Sequence, residues 1–180
     1  MYRRTGGFTL IEIMVVLVIM AIAATIAVPY VANTSSTKLS SAGRMVMSDL
    51  FYAQNVAITN QSPVTITFYM GDATKGTGYA VTDSTGALVH APDNQDMNRR
   101  FVQSSSDLYR QTTIQSLQFE NTTSTTGTIT MQFSPLGEPQ KADGSSLSYP
   151  VKLTLKMASG TSDSTLRLDI QPATGEISAP

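Results

Sequence analysis

The sequence predicts an α+β protein in which a long N-terminal helix, one half suited to a membrane and one half amphipathic, packs on a mainly antiparallel β-sheet. Three observations carry this. Nearly all the continuous apolar length of the 180 residues lies in the first thirty. Residues 39–57 then repeat apolar side chains every three to four positions, and from Val64 onward the repeat falls to two. A mean hydropathy of -0.02 averages over two parts that face different solvents.

Residues 1–7, Met-Tyr-Arg-Arg-Thr-Gly-Gly, form a short basic head. From Phe8 to Val28 the only polar side chains are Thr9, Glu12 and Thr25. As a helix, 21 residues span roughly 30 Å, the thickness of a bilayer's hydrocarbon core. Arg3 and Arg4 precede the segment and the first positive charge beyond it is Lys38, so the positive-inside bias leaves the head cytoplasmic and the remainder outside. A secretory signal peptide cut near Ala21-Ile22-Ala23 and a plain single-pass anchor are the competing readings. Against both stands Glu12, because a carboxylate deep in a membrane helix costs on the order of 2.5–3.5 kcal/mol and calls for a partner.

Pro29 either kinks the helix or ends it, since proline removes a backbone donor and crowds the preceding turn. After Asn33-Thr34-Ser35-Ser36, residues Leu39, Ala42, Met45, Val46, Leu50, Ala53, Val56 and Ala57 make an apolar stripe, with Lys38, Ser41, Arg44, Ser48, Asp49 and Gln54 assigned to other faces. Asn60-Gln61-Ser62-Pro63 supplies the stop. Residues 29–62 are thus read as the amphipathic continuation and 63–180 as a β-rich domain.

Within that domain, alternation predicts strands at Val64–Met70, Tyr79–Thr82, Ala87–His90, Ile114–Phe119, Thr128–Phe133, Val151–Met157 and Leu166–Ile170, with a short last one near Glu176-Ile177. Asp83-Ser84-Thr85-Gly86, Ser134-Pro135-Leu136-Gly137 and Ala173-Thr174-Gly175 read as turns. Lys75-Gly76-Thr77-Gly78 is also given to a turn, Ala91 to Arg110 to a polar, variable middle, and Ser104–Ser106 and Thr122–Thr126 to loops. Connections this short leave no room for crossover helices, so the sheet is expected to be mainly antiparallel.

Gly7-Phe8-Thr9-Leu10-Ile11-Glu12, followed by the apolar helix, resembles the class III signal of type IV pilins and type II secretion pseudopilins. The resemblance implies a prepilin peptidase cut between Gly7 and Phe8, N-methylation of Phe8, an assembly role for Glu12 opposite a neighbouring subunit's terminal amine, and a bend at Pro29. Glycine at the scissile bond suits an extended backbone in a cleft, and Glu12 lies about one helical turn from the new amine. A carboxylate resting at headgroup level is the alternative for Glu12. The helix-to-sheet join around Asn60 to Val64, the Phe133 to Gly137 strand end and the closing Thr174-Gly175-Glu176-Ile177 are similar to the minor pseudopilin H and FimT-like group.

For that resemblance the implied function is structural: a minor subunit of a type II secretion pseudopilus, inserted once in the bacterial inner membrane with its C-terminal domain in the periplasm. Implied partners are other pseudopilins or pilins through the N-terminal helix, the prepilin peptidase and an inner-membrane assembly platform. A minor pilin of a type IV pilus, serving adhesion, motility or DNA uptake, is the second reading. DNA-binding members carry arginines around the closing strand, whereas here Gly175-Glu176-Ile177-Ser178 has an acid. Loss of Arg3 and Arg4 on processing leaves 12 - 2 = 10 basic against 13 acidic residues, so nucleic acid is not an expected partner. Arg99-Arg100 with Arg110 is the remaining basic cluster, read as a solvated loop.

Catalysis finds no support. A lone histidine, His90, and no cysteine leave no multi-His or thiolate metal site or nucleophile. No Gly-x-Ser-x-Gly elbow or phosphate-binding glycine loop occurs. Asp93-Asn94-Gln95-Asp96 lacks the ordered ligand pattern of a calcium loop. No cofactor and no metal are expected.

Overall fold

The computed structural model describes residues 7–32, 34–72, 76–90, 95–101, 112–157 and 163–180, the backbone alone for 24–32, 34–35, 72, 89–90, 95–96 and 100. The chain divides into two compact units, Met1–Thr34 and Ser35–Pro180.

The first unit is helix α1, Leu10–Ala32, which contains Pro29 within its last turn. Thr9 precedes it, its carbonyl accepting the N–H groups of Glu12 at 3.1 Å and Ile13 at 3.3 Å. The second unit opens within α2, Thr34–Asn60. It stops as expected but without glycine: Gln61 takes the left-handed conformation (φ 50°), while the Gln61 and Ser62 N–H groups donate back to Ile58 and Ala57. That is a Schellman cap, with Pro63 next to prevent continuation.

The strands are β1 Val64–Asp72, β2 Gly76–Asp83, β3 Gly86–Ala87, β4 Val89–His90, β5 Gln95–Asp96, β6 Asn98–Arg100, β7 Thr112–Phe119, β8 Thr122–Ser124, β9 Gly127–Phe133, β10 Pro139–Lys141, β11 Val151–Met157, β12 Ser164–Ile170 and β13 Ile177–Ser178. Every described pairing is antiparallel, as expected from the short connections. One sheet runs β10-β9-β1-β2-β3 with β6 also on β2; a second runs β13-β12-β11-β7-β8; β4 and β5 pair separately. Thr77 Oγ1 on β2 accepts the Ile114 N–H of β7 at 3.3 Å, a polar join between the two larger sheets.

The core follows from the period of two. Val64, Ile66, Phe68 and Met70 of β1, Met131 and Phe133 of β9, and Val151, Leu153, Leu155 and Met157 of β11 are fully buried. Leu39, Val46, Leu50, Ala53 and Ala57 of α2 close over them, giving one apolar cluster. Gly43 lets the helix approach β12 so closely that a methyl group there would overlap Leu166.

Four expectations need correction. Gly76-Thr77-Gly78 is strand, not turn, because its Gly78 pairs with Tyr69 across β1 and with Arg100 across β6. The polar middle contributes to the core: Met97 and Phe101 are buried, Phe101 edge-on to Tyr79 with ring centroids 6.0 Å apart. The Thr122–Thr126 loop contains β8, set by a two-residue turn in which Glu120 and Asn121 both take positive φ, at 48° and 62°. Asp49 does not face solvent but is 2% exposed. Asp93, Asn94, Ser104–Ser106 and Arg110 lie outside the described residues.

Candidate functional site

The segment singled out by sequence sits at the start of the first unit. Gly7 and Phe8 precede the helix in non-helical backbone. Nothing approaches within 4 Å of the position a Cβ on Gly7 would take, and Phe8 is 78% exposed. A peptide bond in uncovered, non-helical chain can enter a protease cleft, whereas one inside α1 would first have to unwind. Glu12 falls in the first turn of α1 and is exposed. There a carboxylate is favoured by the helix dipole, and it shares that end of the helix with the amine that cleavage before Phe8 would create.

Beyond Glu12, the described side chains of α1 form no polar face. Leu10, Ile11, Ile13, Met14, Val15, Val16, Leu17, Val18, Ile19, Met20 and Ile22 are all exposed, the least exposed of them 48%. Such a helix is stable only against other apolar surface, lipid or protein. Ile11, Met14, Val15, Val18 and Ile19 line a shallow apolar groove along one side. No helix among the described residues meets the length and apolarity needed to cross a membrane.

The second unit contains two constellations that the sequence did not disclose. The first is a buried carboxylate: Tyr79 Oη donates to Asp49 Oδ2 at 2.7 Å, and Arg99 Nε donates to the same oxygen at 3.1 Å. Arg99 is therefore not part of a solvated loop; its side chain is 24% exposed and ties β6 to α2. The only sequence signal was an acid placed one position from the apolar stripe residue Leu50.

The second constellation is a corner where the end of α2 meets two turns. Gln54 Nε2 donates to the Gly137 carbonyl at 2.8 Å and to the Gly175 carbonyl at 3.4 Å. Gly137 (φ 83°) and Gly175 (φ 67°) both have left-handed backbone. A methyl group on Gly175 would overlap Gln54 and the Gly137 carbonyl oxygen, and one on Gly137 would lie 2.8 Å from Ile58 Cδ1. The strand-end and closing-strand glycines, 38 residues apart by number (175 - 137), thus meet beneath one side chain.

Among the described residues no group of His, Cys, Asp or Glu is placed to hold a metal ion. His90 lies on β4 and its side chain is not described. A family model for the prokaryotic N-terminal methylation motif matches residues 2–28. That match takes in Gly7, Phe8, Glu12 and most of α1, and it is consistent with a type IV pilin-like, prepilin-processed protein. No curated protein and no solved structure matches the chain.

Proposed function

We propose that the chain is a minor pseudopilin of a type II secretion pseudopilus, cut after Gly7, N-methylated at Phe8 and packed into the filament by α1. The methylation motif over residues 2–28, joined to a helix apolar on every side with one carboxylate in its first turn, carries this reading. Residues 8–28 anchor the precursor once in the inner membrane, and the β-rich domain lies in the periplasm. In the filament, Glu12 meets the methylated amine of a neighbouring subunit, which offsets the cost of holding a carboxylate in an apolar medium and sets the stagger between subunits. Pro29 bends the helix where it leaves the packed bundle. The peptidase, the assembly platform and the other pilin-like subunits are the partners.

A type IV pilus would use the same first unit. Its DNA-uptake form is disfavoured by the capture of Arg99 by Asp49 and by the acid Glu176 on the closing turn.

The test is Glu12→Ala in the full-length chain, followed by sheared-filament recovery and N-terminal processing in the same cells. Normal processing with recovery reduced at least about tenfold is expected if an offset of roughly 1.4 kcal/mol or more is lost. Undiminished recovery removes the role given to Glu12.

A further inference from the structure

Helix α1 starts at a defined residue, and the bond assigned to the peptidase lies just ahead of it. Gly7, Phe8 and Thr9 are non-helical, and the helix begins at Leu10. Among the described residues the first carbonyl it engages is that of Thr9, which accepts the Glu12 N–H at 3.1 Å and the Ile13 N–H at 3.3 Å. A non-helical residue whose carbonyl accepts the first intrahelical bond is the helix cap. Threonine is favoured there because its hydroxyl can accept an N–H left over in the first turn, which valine cannot do.

The place of the cap decides the state of Gly7. With Thr9 as cap, no N–H among the described residues donates to the Gly7 carbonyl, and nothing lies within 4 Å of the place a Cβ on Gly7 would occupy. Upstream of Thr9, phenylalanine at position 8 has no capping atom, and the next residue type that tolerates the role is Gly7 itself. A helix capped there would bind the Gly7 carbonyl to the Ile11 N–H. Hydrolysis of the Gly7–Phe8 bond breaks its C–N link, adding the hydroxyl of water to the Gly7 carbonyl carbon and its hydrogen to the Phe8 nitrogen. The oxygen that gains charge in that step is the one a longer helix would already hold, out of reach of the peptidase's own donors.

We propose that Thr9 is a positioning residue for processing: by capping α1 it holds the helix start beyond Phe8 and leaves the Gly7 carbonyl open to the peptidase. The inference rests on the reading of the chain as a prepilin-type substrate.

The experiment measures initial rates of release of the Phe8 terminus, by mass spectrometry, from the full-length chain in membranes with a prepilin peptidase. Wild type is compared with Thr9→Val, which keeps the shape and removes the cap, and with Thr9→Asn, which changes the shape and keeps the cap. Thr9→Val is expected to be cut at least about threefold more slowly, and Thr9→Asn to match wild type within about twofold. Thr9→Val cut as fast as wild type, or Thr9→Asn cut as slowly as Thr9→Val, overturns the capping role while leaving the processing reading intact. Wild type left uncut overturns the processing reading, and this inference with it.

Discussion

The side-chain amide of Gln54 donates to the carbonyl of Gly137 at 2.8 Å across 83 residues of sequence. It fastens the end of α2 to the turn that ends β9, and its longer contact with Gly175 brings the last turn of the chain to the same point. Gln54→Ala is expected to cost about 1–2 kcal/mol, since it leaves a part-buried carbonyl without its donor. Gly175→Ala should cost more, about 2–3 kcal/mol, because left-handed backbone and overlap with Gly137 act together. Urea unfolding of residues 35–180 checks both; equal midpoints for wild type and Gly175→Ala would remove the close approach.

A second set of variants concerns the buried acid. Asp49→Ala removes the oxygen that accepts from both Arg99 and Tyr79 and is expected to destabilise the domain by about 2–3 kcal/mol. Tyr79→Phe, which removes a hydroxyl and leaves the ion pair, should cost about 1–2 kcal/mol. Thermal unfolding of the single variants and of the double variant would show them to be non-additive, as expected for groups sharing one oxygen.

Thr112 points the other way. Its Oγ1 is buried and has no hydrogen-bond partner among the described residues. Thr112→Val, which keeps the shape and removes the orphaned hydroxyl, should raise stability by about 1 kcal/mol in the same unfolding assay.

Two turn carboxylates link stability to pH. Asp83 and Asp143 both have their carboxyls held below the ordinary value of 3.8, first by the hydroxyls and then by the backbone N–H groups of Thr85 and Ser145. Each group binds its proton more weakly folded than unfolded, so its contribution is complete above about 3.8 and fades as the pH falls through the lowered value. Asp83→Asn/Asp143→Asn should flatten the acid limb of stability below about pH 4, and unfolding followed against pH would detect it.

Strand positions were legible wherever a strand buries one face and leaves the other polar. Val151–Met157 was located to the residue because Val, Leu, Leu and Met alternate there with Lys, Thr and Lys. Val64–Met70 was likewise found, two residues short. The methylation segment was legible for another reason: its chemistry lies in consecutive residues, from Gly7 to Glu12. What escaped notice depends on partners distant in sequence. Asp49 reads as a surface acid until Arg99 and Tyr79 are brought to it, and β8 reads as a Thr tract until the Glu120-Asn121 turn pairs it with β7. The division into two larger sheets is likewise set by which strands meet, and alternation within a strand carries no record of that.

The central claim is that the first seven residues are removed and the new terminus is modified. Intact-mass and peptide mass spectrometry of the full-length chain, co-expressed with a prepilin peptidase, measures it directly. A product that begins at Phe8 and carries one added methyl group on its amine is expected. A product that retains Met1, or one cut near Ala23, would contradict the account.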